Sequence, residues 1–357
     1  MHKHKSRNHV ILIWCIVAAF ILLLGGCKQK STEIVLTTDF KENEVFRINK
    51  LSCMLPEIKV YLVTARNQCE EAFGNEVWNV KFNNSTLSTQ FKESILAKVA
   101  QIKAINLLAQ ERKITLDKEE EKQVKNAAQK YYATLSQEEA QSLLVTEDII
   151  YQMYAEYALA NKVYQTLTAE VNTEVSDDEA RTITVKQILI KTYEINQAGE
   201  RIAYTGARKQ DAYARCLDLL NRAKTGEDFD ALVLDYNEDE KSEYSFAKGV
   251  MPEAYDQVAF ALSKDEISDI IETEYGYHII KCVTNLNREE TDANKINIVN
   301  KRKEAMFNQV YDEFLPTLTS NLNDDLWKSI NVDEQDGVTT KTFFDVYNET
   351  VISTQPS

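Results

Sequence analysis

Glycine and proline are scarce in this chain, nine and four among 357 residues. With so few turn formers and helix breakers, long helices should dominate, and the length allows about two domains. Histidine is scarce too. His2, His4 and His9 crowd the extreme N-terminus, which leaves His278 as the one imidazole of the remaining chain. No two cysteines stand in a CxxC pair and no histidine cluster could complete their ligand set, so no metal and no other cofactor is expected. Basic charge is in deficit: 41 Lys and Arg face 56 Asp and Glu, a net charge of −15. The short run Lys301-Arg302-Lys303 reads as a solvated helix face. Nucleic acid is thereby excluded as a partner, because its binding depends on Lys and Arg neutralising phosphates. The alternating α/β halves of a solute-binding transport protein are absent as well.

The N-terminus does carry a long apolar run. Lys3, Lys5 and Arg7 precede fifteen apolar residues from Val10 to Leu24, short for a membrane span and suited to a signal peptide. Leu24-Gly25-Gly26-Cys27 then resembles a bacterial lipobox, which implies that residues 1–26 are removed and that Cys27 is lipidated. An uncleaved N-terminal anchor is the alternative. Either places the chain on the extracytoplasmic face of a bacterial envelope membrane, with that membrane as a partner through the anchor; two or three acyl chains hold firmly where one holds marginally. Removal of residues 1–26 leaves 38 basic against 56 acidic side chains, a net charge near −18, repelled from anionic lipid except at the anchor. Residues 27–44 read as the lipidated cysteine and a polar tether.

Beyond Cys27 the cysteines are Cys53, Cys69, Cys216 and Cys282. Cys216 falls in a helix pattern and Cys282 in a strand pattern, which suits buried free thiols; a disulfide between them is the alternative. Val45 to Leu51 reads as a short strand and Leu55 to Phe73 as a helix. Phe91, Ile95, Val99, Ile102 and Ile105 recur at spacings of three and four, one face of another helix. Asp117 and Glu120 stand at capping-box spacing ahead of a charged helix reaching Leu135, and Ile150 to Leu167 marks a further one. Ser176 and Glu179 form a second box before the strand Thr182 to Lys191. Residues 192–207 read as a loop. Ala207 to Lys224 reads as a helix with Tyr213, Cys216, Leu217 and Leu220 facing inward. Near the other end, Val299, Met306, Val310 and Phe314 share a helix face up to Pro316. Leu322 to Tyr347, with Trp327 and Phe343-Phe344, is too apolar for a free tail.

The segment Phe246 to Cys282 carries most of the functional signal. A short amphipathic stretch holds Gly249, Met251, Tyr255 and Phe260; two strand-like runs joined at Gly276 follow, and the second bears His278. This segment resembles the C-terminal half of a parvulin-type (PpiC, rotamase) peptidyl-prolyl cis-trans isomerase domain. Met251, Tyr255 and Phe260 stand at the spacings of that family's slot for a proline ring. Thr273-Glu274-Tyr275-Gly276-Tyr277-His278-Ile279-Ile280 fits its closing motif. Gly226 to Leu232 fits the turn and start of its second helix, and Tyr236-Asn237-Glu238-Asp239 the run that supplies an acidic or thiol residue. The resemblance covers roughly residues 180–285. It implies His278, Asp239 and Gln187 as catalytic residues and Met251, Tyr255, Phe260, Thr273 and Tyr277 as substrate-binding ones.

Three features depart from the family pattern. Gln187 stands where the first strand usually carries a second histidine, and an amide cannot titrate or switch tautomer. The Gly-Gly-x-Leu-Gly segment usual between Asp239 and Phe246 is missing. Tyr255 replaces the more common Phe. The order of segments resembles the PrsA/SurA-like foldase family, which implies an α+β fold. A mostly helical SurA-N-like chaperone domain would be built from both chain ends (45–179 and 287–357), with a parvulin-like α/β domain inserted at 180–286. The implied function is a lipid-anchored prolyl isomerase and foldase acting on X-Pro segments of unfolded or newly secreted polypeptides. The alternative is a catalytically weak or inactive holdase that binds unfolded chains.

Overall fold

The computed structural model describes residues 40–82, 85–332 and 337–352; the leader, Cys27 and most of the tether lie outside them. The fold is α+β. The described residues divide into two compact units, one made of those up to Ala169 together with those from Met306 onward, the other of Glu170–Ala305.

The first unit begins with strands β1 (Glu44–Ile48) and β2 (Leu51–Met54), an antiparallel hairpin turning at Asn49, whose φ of 50° suits an asparagine. The sequence suggests only one strand there. Glu44 is buried and takes hydrogen bonds from Arg47 and the Ser52 hydroxyl, which hold its carboxyl down at about 2. Helix Leu55–Phe73 follows as expected, and a two-residue ladder of β3 (Lys81–Phe82) with β4 (Ser85–Thr86) leads into the helix Leu87–Arg112. Helix Lys118–Tyr132 starts in the expected capping box between Asp117 and Glu120, and helix Glu147–Leu167 completes the N-terminal set.

These helices close around residues from the far end of the chain. Phe343 is fully buried, with its ring 4.4 Å from that of Tyr154, 5.2 Å from Tyr131 and 5.5 Å from Tyr61. The Tyr154 hydroxyl donates to the Phe343 carbonyl at 2.5 Å. Asn67 donates to the carbonyls of Val338 and Thr340, and Gln68 to that of Lys341, so helix Leu55–Phe73 fastens the segment by its backbone as well. In helix Arg288–Phe314 the core positions are Phe307, Tyr311 and Phe314. Met306, expected among them, is exposed, because the buried stripe lies one residue further along.

The second unit is built on a sheet of order β8-β5-β10-β9, antiparallel throughout, from β5 (Thr182–Lys191), β8 (Glu243–Ala247), β9 (Ile271–Thr273) and β10 (Gly276–Thr284). Ile188, Ile190, Tyr277 and Ile279 face the helices Gly206–Lys224 and Phe229–Tyr236, while Ile183, Val185, Ile280 and Cys282 face the helix Glu253–Ala259. Cys216 and Cys282 therefore lie in different clusters on opposite faces, and both are free thiols. The expected loop 192–207 instead holds a second hairpin, β6 (Tyr193–Ile195) with β7 (Arg201–Ala203), turned by Asn196, whose side chain accepts the N–H groups of Ala198 and Glu200. On helix Gly206–Lys224 the inward face is Ala212, Cys216, Leu219, Leu220 and Ala223; Tyr213 and Leu217, expected inside, are 45% and 40% exposed. The unit is also wider than 180–286. Asp177 pairs with Arg288 and Lys295, and the Thr291 hydroxyl accepts the Thr182 N–H, tying the flanking helices to the sheet.

Gly276 opens β10 with φ 144°, and a Cβ there would stand 2.2 Å from the Ile190 carbonyl oxygen. Only glycine lets the two central strands approach at this point.

The aromatic closure of the first unit makes the C-terminal segment part of its core. Phe343→Ala should lower unfolding free energy by about 3–5 kcal/mol, read as a shift in the urea midpoint at unchanged slope. A shift no larger than that of a surface substitution would show that the segment is dispensable.

Candidate active site

His278 stands on β10 opposite Leu189, and Gln187 on β5 opposite Ile280. Residues directly opposite on antiparallel strands share a face, so this register puts both side chains on the face of helix Glu253–Ala259. His278 Nδ1 lies 3.1 Å from Gln187 Oε1 and its Nε2 lies 2.7 Å from Thr273 Oγ1. Gln187 Nε2 donates to Asp239 Oδ2 at 2.7 Å, which fixes the other amide atom as an acceptor. The tautomer follows from these partners: Nδ1–H donates to Gln187, and the Thr273 hydroxyl donates to Nε2. Thr273 Oγ1 in turn accepts the Tyr275 N–H.

Gln187 Oε1 also accepts the Tyr255 hydroxyl at 3.1 Å, and Asp239 Oδ2 accepts the Tyr244 hydroxyl at 2.7 Å. Five polar side chains thus converge from β5, β10, β8, the 237–242 loop and the helix Glu253–Ala259, joined at the edge by Thr273. The loop is itself tied to β5: Asn237 Oδ1 accepts the Leu189 N–H, and the Ser242 carbonyl accepts the Gln187 N–H. His278 is 5% exposed. Burial lowers its pKa from 6.5 to about 4, a shift that the Asp239 carboxylate opposes without overcoming. The imidazole is neutral at physiological pH. Burial pushes the Tyr244 and Tyr255 hydroxyls well up, so both keep their protons and remain donors.

The apolar part lies alongside. Phe246 packs against Tyr255 and Phe260 with ring centroids 5.9 and 5.8 Å apart, and Met251 and Phe260 are half-buried against the same cluster. The Tyr255 ring meets His278 edge-on at 5.2 Å. Arg181 lies 5.0 Å over the Phe260 ring and donates to its carbonyl.

Seven of the eight residues singled out from the sequence gather here: His278, Asp239, Gln187, Met251, Tyr255, Phe260 and Thr273. Tyr277 does not. Strand alternation turns it to the opposite face, where it packs against Tyr213 at 5.3 Å beneath the helix Gly206–Lys224. Tyr244, Phe246 and Arg181 belong to the site without having been singled out. Tyr244 and Phe246 share a face of β8 at a spacing of two, a legible signal; nothing local marks Arg181. The Gln187 and Tyr255 departures meet in one contact, since the hydroxyl that Tyr adds at 255 bonds the amide that replaces a histidine at 187. Among the described residues, no group of three or more His, Cys, Asp or Glu side chains is arranged to hold a metal ion.

Residues 188–284 match the rotamase family, the PPIC-type PPIase domain. Foldase protein PrsA of Caldanaerobacter subterraneus is 24% identical over 261 residues, covering 70% of this chain and 77% of that protein. Foldase protein PrsA 1 of Listeria innocua is 27% identical over 232 residues, covering 63% and 72%. Chaperone SurA of Methylococcus capsulatus is 24% identical over 131 residues, covering 35% and 28%. A crystal structure of the peptidylprolyl isomerase PrsA from Bacillus cereus aligns over 75% of this chain and 97% of its own, with 19% identity and a TM-score of 0.36. Residues 188–284 are thus a parvulin-type, PPIC-type peptidyl-prolyl isomerase domain, carried in a chain similar to the PrsA and SurA foldases.

Proposed function

We propose that this chain is a lipid-anchored foldase of the extracytoplasmic face of a bacterial membrane, isomerising X-Pro bonds of unfolded or newly secreted polypeptides. The observation that carries the catalytic part is the continuous hydrogen-bonded set Thr273–His278–Gln187–Asp239 beside the Met251, Phe246 and Phe260 side chains. The anchoring part is supported by Leu24-Gly25-Gly26-Cys27 behind an apolar run; among the described residues no helix is long and apolar enough to cross a membrane.

Rotation about an X-Pro bond must cross about 18–20 kcal/mol set by amide resonance. No bond is made or broken, so no proton needs to move. The twisted amide has less resonance and less charge on its carbonyl than the planar one, so a water-poor slot disfavours it less. Met251, Phe246 and Phe260 are suited to grip the ring. Both nitrogens of His278 are engaged within the network and the ring is neutral. That suits a fixed polar floor and argues against a general acid or base. The engaged imidazole and the Gln at 187 also favour a second reading, a peptide clamp with little turnover.

In a proline-peptide isomerisation assay on the full-length protein, turnover should be measurable and nearly flat between about pH 6 and 8, because His278 does not titrate there. His278→Ala should lower kcat more than it raises KM. A wild-type rate equal to background, with client aggregation still suppressed, would leave only the clamp.

The same histidine sets an acid limit on stability. It binds a proton near pH 6.5 in the unfolded chain and only near pH 4 in the folded one. Its contribution is complete above pH 6.5 and lost as pH falls towards 4, by about 3 kcal/mol. Denaturation midpoints measured across that range should fall in the wild type and fall less in His278→Ala.

The Gln187–Tyr255 contact predicts coupling. Gln187→His alone sets an imidazole against a hydroxyl placed for an amide, so combining it with Tyr255→Phe should give more activity than the two single effects predict. Strict additivity would disconnect the two positions.

Mass spectrometry of protein extracted from membranes should find Cys27 as the N-terminal residue carrying acyl mass. An intact Met1 would refute lipidation at Cys27 and leave the uncleaved N-terminal anchor.

A further inference from the structure

Asp256 follows Tyr255 on the helix Glu253–Ala259 and is 5% exposed. Its Oδ2 accepts the backbone N–H of Gly249, and its Oδ1 is buried with no hydrogen-bond partner. A buried carboxylate with an idle oxygen is costly, so its persistence asks for a role. What it holds is the link between β8, which ends at Ala247, and the helix, which starts at Glu253. Gly249 sits in that link at φ 86°, where the Val250 N–H turns back to the Ala247 carbonyl. On the other side, the Asp256 backbone N–H donates to the Pro252 carbonyl at 2.9 Å. The Asp256 side chain therefore fastens the chain at 249, the first main-chain bond of the helix fixes 252 whatever residue stands at 256, and Met251 lies between the two fastenings.

We propose that Asp256 is a positioning residue for substrate binding: it fixes the Gly249–Pro252 turn so that Met251 is held ready at the slot. Methionine is unbranched, with three rotatable side-chain bonds, so a fixed backbone is what gives its thioether a defined place. The requirement is for an acceptor facing the Gly249 N–H, and the polar floor of His278, Gln187 and Asp239 is not involved. The proposal rests on the isomerase reading for its kinetic consequences. Its structural consequence, weaker capture of a proline peptide, stands apart from turnover.

The test uses the full-length protein and an Ala-Pro-containing peptide. Peptide affinity is read by calorimetry, and kcat and KM by the isomerisation assay. Asp256→Ala should weaken affinity by about tenfold, like Met251→Ala, with kcat and the pH profile little changed. The double variant should be no weaker than Met251→Ala alone, because both act through one side chain. Asp256→Asn keeps an acceptor for Gly249 and should recover most of the affinity. Gly249→Ala meets no atom within 4 Å but is strained at its positive φ, so it should shift the turn and reproduce the loss; it serves also if Asp256→Ala does not fold. Wild-type affinity in Asp256→Ala or Gly249→Ala, additive losses in the double variant, or an Asp256→Asn as impaired as Asp256→Ala would each overturn the proposal. If the wild type binds the peptide but shows no turnover, the isomerase reading fails while the affinity measurements still decide the role of Asp256.

Discussion

The carbonyl oxygen of the Gln187 side chain is the point on which the isomerase unit's polar site depends. It is buried, and it takes one hydrogen bond from His278 Nδ1 and one from the Tyr255 hydroxyl while its amide nitrogen is given to Asp239. A buried amide has its donor and acceptor ends fixed by its partners, so Asp239 orients Gln187, Gln187 selects the tautomer of His278, and that tautomer decides that Thr273 must donate. Each proton that bridges two members of the set has one place. A histidine at 187 could adopt either tautomer and could charge; a glutamine cannot, and desolvation keeps the remaining imidazole neutral as well.

This also explains why three departures from the family pattern occur together. β8 starts directly behind the 237–242 loop, and Tyr244 at the start of that strand reaches Asp239. Tyr255 supplies the second hydroxyl, to Gln187. Two phenols with pKa values raised by burial thus donate to the two acceptors that the shortened site contains. Taken singly, each departure looks like loss; in the fold they are mutually satisfied, which is the condition for a polar group to persist in a core.

The site also depends on register. Odd positions of β5 and even positions of β10 face the slot, and a slip of one residue would exchange the Gln187–His278 side for the Ile188–Tyr277 side. Gly276 helps to hold that register, since no side chain fits where its Cα meets the Ile190 carbonyl. In the other unit the equivalent constraint is the closure of the N-terminal helices by Phe343, whose ring and backbone carbonyl are both taken up.

The sequence by itself determined what depends on neighbours along the chain. The helix Leu55–Phe73, the Asp117 capping box and the strand Thr182–Lys191 were legible, because caps and hydrophobic period act within a turn or two. The spacing of Met251, Tyr255, Phe260 and His278 was legible for the same reason. The tertiary structure decided what depends on facing. Tyr277 lies beside His278 in sequence and on the other side of the sheet in space, and Tyr213, Leu217 and Met306 fall outside the buried stripes because several apolar residues competed for each helix face. Local pattern could not show that the Tyr255 hydroxyl ends on Gln187, that Tyr244 reaches Asp239, or that Asp256 turns back to Gly249. The first joins residues 68 apart; the other two join residues five and seven apart, but across irregular loops whose course is set by packing against the sheet, where each buried polar atom must find a partner within hydrogen-bond reach.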